Sequence, residues 1–216
     1  MTNRKIADGR NKNEKLVERM IPESNTITYL MITLWSGIIA AVMVDTTIAQ
    51  NISVFPDWVR DAAQWISRST DPLFVIPLIA GAFVVQLALR AVGFASRHDL
   101  IKELLIQAIA AIGVATLLKT IIGRARPSHS AMDPFNFQPF MAQDMFASCP
   151  SAQATLAAAI GFSFAMRFPS ARMPILMAAA AVCLSRVLVG EHWSSDVVFG
   201  WALGWYISSM HRRSNA

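Results

Sequence analysis

The chain is poor in charge and poorer still in cysteine. Only 15% of its 216 residues are Asp, Glu, Lys or Arg, against about 25% in an ordinary soluble domain. That deficit excludes a water-facing surface over most of the chain. Two cysteines, Cys149 and Cys183, are too few for a disulfide framework, and both are expected to be free thiols. No internal repeat is visible, and no charged residue stands at the middle of an apolar run. Both absences argue against a transporter built around a midplane site. What the chain does have is apolar length: 54% of its residues are hydrophobic and its mean hydropathy is positive.

A helix needs roughly 20 apolar residues to cross about 30 Å of hydrocarbon. Six runs approach that length, at residues 27–48, 73–89, 104–122, 152–168, 173–189 and 197–210, the last extended back through His192. The expected fold is therefore all-α, a bundle of six transmembrane helices over residues 27–216, preceded by a basic tail at residues 1–26. No room is left for a soluble domain. Thr47-Ile48-Ala49 resembles a signal-peptide cleavage site, but the polar stretch ahead of the first run is long for a signal sequence, so that run is read as a retained span.

Positive charge sets orientation, because Lys and Arg are held on the cytoplasmic side. With the N-terminus inside, 13 of the 19 basic residues fall on the cytoplasmic face, and three of the remaining six are Lys119, Arg126 and Arg186. Both termini are then cytoplasmic, in the cell (inner) membrane, and those three cations face the other way. The basic tail suits a juxtamembrane segment beside anionic lipid better than a nucleic-acid contact, and no nucleic-acid partner is expected. Between the first two spans, Trp58, Ala62, Trp65 and Ile66 recur at helical spacing opposite Arg60, Asp61, Gln64 and Arg68, the pattern of a short helix lying in the extracytoplasmic interface. Asp45 falls near the outer end of its span, where water is expected to reach it. Gly200 and Gly204, with the alanine runs at 157–159 and 178–181, are close-packing devices and carry no argument about oligomeric state.

Three separated segments place basic and nucleophilic residues at span ends. Lys119 and Arg126 are seven residues apart, two helical turns, so a span continuing to Pro127 projects both from nearly the same face and stops there. Snorkelling interface cations explain that pair equally well. In Cys149-Pro150-Ser151-Ala152-Gln153, proline near a helix start presents free N–H groups and the positive end of the dipole; Ser151 adds a hydroxyl that also suits a plain cap. In the third segment Arg186 closes one span, while His192 and Asp196 lie four apart at the start of the next, within reach of each other if both are helical. A carboxylate on one imidazole nitrogen frees the other for attack.

Together these segments resemble the type 2 phosphatidic acid phosphatase family of membrane lipid phosphatases, whose pocket vanadium haloperoxidases share. The family pattern is Lys, six residues, Arg-Pro; then Pro-Ser-Gly-His; then Ser-Arg, five residues, His, three residues, Asp. The first part is complete in Lys119 to Arg126-Pro127 and the third in Ser185-Arg186, His192 and Asp196, and the intervening lengths are similar to the family's. The resemblance implies that His192 is a nucleophile forming a phosphohistidine and that Asp196 orients it. It implies that Lys119, Arg126, Arg186, Ser151, Ala152 and Gln153 line the phosphate site. It also implies no metal and no other cofactor, three cations taking that role, and a lipid phosphate as substrate.

The second segment departs from the pattern. Ala152 stands for the glycine, which a helical backbone tolerates, but Gln153 stands for the histidine that protonates the leaving oxygen, and glutamine has no titratable proton. Three outcomes follow: a lipid-phosphate binder with little turnover, another acid such as His129 or Glu191, or a substrate that needs no acid. An alkoxide leaves with a conjugate-acid pKa of roughly 15 to 16, like water; a phosphate leaves with one near about 6. The expected substrate is accordingly a polyprenyl diphosphate or a lipid 1-phosphate, with phosphotransfer to a second lipid as an alternative. The loop at residues 128–149 carries Phe135, Phe137, Phe140 and Phe146 with Asp133 and Asp144, suited either to a lid or to packing at the interface.

Overall fold

The computed structural model describes residues 24–91, 100–130, 132–141 and 143–214. Of the basic tail at residues 1–26, residues 1–23 lie outside them. Among the described residues, seven α-helices run in order: α1 (Ser24–Asn51), α2 (Asp57–Ser69), α3 (Pro72–Ala91), α4 (Leu100–Ile122), α5 (Ala152–Arg167), α6 (Arg172–Leu188) and α7 (Ser194–Ser214). Among the described residues there is no strand, only one isolated antiparallel bridge between Arg124 and Phe137. Residues Ile38–Ala216 form one compact unit; Met1–Gly37 form another, whose described part is the helical stretch 24–37.

Among the described residues, three segments are long and apolar enough to cross a membrane: Pro72–Ala91, Leu100–Ile122 and Pro169–Leu188. A fourth candidate is the pair Ile39–Val54 and Asp57–Ser69, bent by 115° at the break between them. The runs expected at 152–168 and 197–210 are helical, but α5 has only 16 residues, and α7 carries serines and basic residues that dilute its hydropathy. Helix α3 is apolar all round and exposes Leu73, Phe74 and Leu78, the surface a helix turns toward hydrocarbon.

Helix α5 is the centre of the unit, packed most extensively on α7, then on α6 and α4. Its buried face is made of small side chains, including Ala154, Ala158, Ala159 and Gly161, so neighbouring backbones approach closely. Gly200 and Gly204 of α7 complete that contact. A Cβ on Gly204 would stand 2.4 Å from the Thr155 carbonyl oxygen, and one on Gly200 2.7 Å from that of Ser151. Both glycines are thus intramolecular packing positions. Deeper in the bundle, Ser163 joins Gln107 of α4 to Ser208 of α7 by hydrogen bonds.

Helix α2 spans the stretch in which Trp58, Ala62, Trp65 and Ile66 recur, and Trp58 and Trp65 are exposed. Its protein-facing side is Ala63 and Ser67, which lie against α6. Two expectations need correcting. Helix α4 does not continue to Pro127. It stops at Ile122, where Gly123 adopts a left-handed φ of +59° and its N–H returns to the Lys119 carbonyl at 2.8 Å. Asp45 is not reached by water: it is 1% exposed and bonded on both carboxylate oxygens.

Candidate phosphate-binding site

The C-terminal ends of α4 and α6 and the N-terminal ends of α5 and α7 meet at one end of the bundle. There the structure brings together Lys119, Arg126, Ser151, Ala152, Gln153, Arg186, His192 and Asp196. Gly123 determines how the first two arrive. After it the chain is extended, so alternate residues point to opposite sides, and Arg124 and Arg126 part company.

Arg124 turns inward and is 4% exposed. Its guanidinium bonds Asp45 (2.9 Å), Asp196 (2.7 Å), the Ser195 hydroxyl (2.6 Å) and the Pro134 carbonyl (2.9 Å). The Trp193 and Phe137 rings flank it at 5.4 and 5.8 Å. Asp45 in turn accepts from the Ser194 hydroxyl and from the N–H and hydroxyl of Ser195. Buried charges demand partners of this kind. The cluster ties the Asp45 end of α1, the 123–151 loop and the start of α7 into one frame. Sequence reasoning missed Arg124 as a site component, although a left-handed glycine followed by alternating arginines was a usable signal.

Arg126 turns to the pocket. Its Nε donates to the Asp144 carbonyl at 2.9 Å, one terminal nitrogen to the Asp144 carboxylate at 2.6 Å, and the other to Glu191. Lys119 donates to the Ala147 carbonyl at 2.7 Å. Arg186 donates to the Ser67 hydroxyl of α2 and faces Glu191 at 3.9 Å, while its buried Nε has no hydrogen-bond partner among the described residues. Gln153, 6% exposed, donates its side-chain amide to the Ser67 carbonyl at 2.9 Å. Ser67 therefore receives one residue of α5 and one of α6, a contact with no sequence signal. Ser151 caps α5 by accepting the Ala154 N–H at 3.4 Å, and its own N–H bonds the Asp196 carbonyl at 3.1 Å. The first-turn N–H groups of Ala152 and Gln153 have no acceptor within the helix.

His192 is 3% exposed. The expected carboxylate–imidazole hydrogen bond is absent from this arrangement: Asp196 lies 3.9 Å from Nδ1, and Nδ1 bonds the Ser148 carbonyl at 2.8 Å. The reason is that α7 begins only at Ser194, so His192 is not on its face. Asp196 instead caps that start by accepting the Trp193 N–H at 3.0 Å, and it accepts the Ser148 hydroxyl at 2.5 Å. Asp196 thus reaches the imidazole through Ser148. A carbonyl can only accept, so Nδ1 carries the proton and, in the neutral ring, Nε2 keeps its lone pair. Burial pushes the His192 pKa well below its ordinary 6.5, and the positive charges of Lys119, Arg186 and Arg126 push it the same way against the Ser148 bond. The ring is neutral at neutral pH. Burial and the nearby Asp196 raise the Cys149 thiol, which stays protonated.

His129 is exposed and bonded to Ser128. In the loop above the site, Phe146 is buried while Phe135, Phe137 and Phe140 are exposed.

The family model of the PAP2 superfamily matches residues 101–214, just over half of the chain, a stretch that holds Lys119, Arg126, Ser151, Ala152, Gln153, Arg186, His192 and Asp196. The chain belongs to the PAP2 superfamily. Over 96 residues it is 41% identical to the lipid A 1-phosphatases of Rhizobium johnstonii and Rhizobium etli, covering 44% of this chain and 39% and 41% of theirs. It thus spans about two-fifths of the length of the curated relatives it matches. A crystal structure of a PAP2-type phosphatidylglycerolphosphate phosphatase from Bacillus subtilis superposes with a TM-score of 0.57 at 19% identity, covering 85% of this chain and 94% of that one. That likeness supports an all-helical PAP2 membrane fold.

Proposed function

We propose that this PAP2 protein is an integral membrane lipid phosphatase in which His192 attacks the phosphorus of a lipid phosphate. The observation that carries the reading is the buried imidazole with its Nδ1 2.8 Å from the Ser148 carbonyl, beside the positive charges of Lys119, Arg126 and Arg186. As the Nε2–P bond forms, the P–O bond to the lipid breaks and the leaving oxygen takes the electron pair. Water then attacks the phosphohistidine, the N–P bond breaks, and phosphate is released. The three cations, the Ser151 hydroxyl and the N–H groups of Ala152 and Gln153 offset charge on the transferring group, where catalysis is mostly positioning and electrostatics. In this reading no metal takes part. Asp196 holds Ser148, and Ser148 holds the ring.

The wider setting is six spans in the inner membrane, both termini cytoplasmic, and the pocket and α2 on the extracytoplasmic side. It rests on the charge distribution and the apolar runs.

Gln153 decides the substrate class. General acid catalysis contributes about 10² to 10⁴ in rate, and Gln153, bonded to a backbone carbonyl, has no proton to supply. A polyprenyl diphosphate or a sugar 1-phosphate on a lipid suffers least, and the name of the Rhizobium relatives favours the second. Purified protein in detergent is expected to release phosphate faster from a lipid diphosphate or lipid 1-phosphate than from a matched alkyl monophosphate, and Gln153→His is expected to gain on the alkyl monophosphate. Faster release from the alkyl monophosphate by the unaltered protein would refute this choice. Because the same missing proton also favours a lipid-phosphate binder without turnover or a phosphotransferase, the assay includes a lipid acceptor and a binding arm.

The depressed pKa of His192 has a pH consequence. A base whose pKa is lowered stays unprotonated further into acid, so the acid limb of kcat/KM is expected below pH 6.5 where His192 alone sets it. A pH–rate profile with that limb above 6.5 would contradict a buried neutral nucleophile.

A further inference from the structure

The carboxylate of Glu191 lies where an anion belongs. It accepts from one terminal nitrogen of Arg126 and stands 3.9 Å from a terminal nitrogen of Arg186. These are two of the three cations assigned to the phosphoryl group, and Glu191 precedes His192 directly. Its side chain is 42% exposed, whereas those of Arg126 and Arg186 are 12% and 13% exposed. The carboxylate therefore has a path into solvent that the guanidiniums lack. Arg186 Nε is buried and has no hydrogen-bond partner among the described residues, so Glu191 leaves it unsatisfied. One carboxylate with two oxygens is an incomplete match for two guanidinium forks, while a phosphate with three terminal oxygens is a fuller one.

Resting on the phosphatase reading, we infer that Glu191 is an internal competitor for the phosphate site, setting which anions the pocket accepts. To bind, a phosphate must displace a charge-assisted contact already in place. A terminal phosphate carries about −1.5 to −2 at neutral pH and has three acceptor oxygens, so it outcompetes one carboxylate. The phosphodiester of a bulk membrane lipid carries a single charge and offers fewer free oxygens, so it does not. Glu191 thereby keeps abundant anionic lipids out of the pocket. It also weakens retention of inorganic phosphate, the product. Asp144 assists from the rim, bonded to Arg126 and 86% exposed, but it does not reach Arg186 in this arrangement.

The test compares the full chain with its Glu191→Gln variant in detergent, using inorganic phosphate and phosphatidylglycerol as probes. Direct binding of inorganic phosphate is the first readout, because it needs no turnover. It is expected to tighten about tenfold in the variant, the scale of one half-exposed ion-pair contact on each arginine removed. In turnover, KM for the lipid phosphate falls and phosphatidylglycerol becomes an inhibitor, while kcat does not rise. Unchanged or weaker phosphate binding in the variant would overturn the inference. So would a kcat loss of about 10² to 10⁴ with phosphate binding unchanged, since that assigns Glu191 the proton transfer instead. Tighter phosphate binding by the variant in a protein with no turnover keeps the inference and removes the phosphatase reading, so the two fail separately. A thermal melt checks that the variant is folded.

Discussion

Replacing His192 by alanine is expected to reduce phosphate release by on the order of 10⁴- to 10⁶-fold, the scale seen when a covalent nucleophile is removed. The size follows from the absence of a substitute. Among the described residues near the pocket, the Cys149 thiol is held protonated by burial, and His129 is exposed and bonded to Ser128. Phosphate binding should survive the change, because Lys119, Arg126 and Arg186 do not depend on the imidazole for their contacts. The expected result is therefore binding without turnover, measured by phosphate release and by equilibrium binding on the same preparation. Turnover within tenfold of the unaltered protein would remove His192 from the chemistry.

The second large effect concerns stability. Arg124→Met is expected to cost roughly 3–5 kcal/mol, since it leaves buried carboxylates without their cation. Asp45 and Asp196 are 1% and 0% exposed, so neither is able to recover hydration. Pairing the change with Asp45→Asn should return part of the loss, because the neutral amide keeps hydrogen bonds to Ser194 and Ser195 without needing the guanidinium. Thermal melting in detergent of the two single variants and the double variant reads this directly. Strict additivity would mean that Asp45 and Arg124 are not coupled. Turnover should fall as well, because Asp196 also fixes Ser148, and Ser148 fixes His192.

Much of the gathering of residues at the candidate site was legible because they sit at or near helix ends, where apolar runs give way to polar side chains. The spacing of Ser185, Arg186, His192 and Asp196 marked one helix closing and another opening, and the segment around Ser151 marked a helix start. What was not legible is the exchange of partners between segments. Reading Lys119 and Arg126 on one helical face required α4 to run through Gly123, whose positive φ breaks the period and sends Arg124 and Arg126 opposite ways. Reading Asp196 as the partner of the imidazole required both residues to be helical, whereas the carboxylate is spent on capping α7 at Trp193 and on binding Arg124. Asp45 looked accessible because depth along a span says nothing of which face meets Arg124.

The fold shows the same division. Hydropathy marked where helices lie, and the small residues of α5 with Gly200 and Gly204 marked where backbones touch. Ser67 gave no such sign. It is one serine on the narrow inner face of an amphipathic helix, and only the packing of α2 on α6 brings it to both Gln153 and Arg186. A residue that acts through two partners from distant segments has no local pattern to betray it.

The most direct test is to quench the protein during turnover of a lipid diphosphate or lipid 1-phosphate labelled in its terminal phosphate and to map the protein-bound label. The account predicts an acid-labile, base-stable phosphoryl group on His192 that disappears when the substrate is exhausted. Label on another residue, or sustained phosphate release with His192 never labelled, would contradict it.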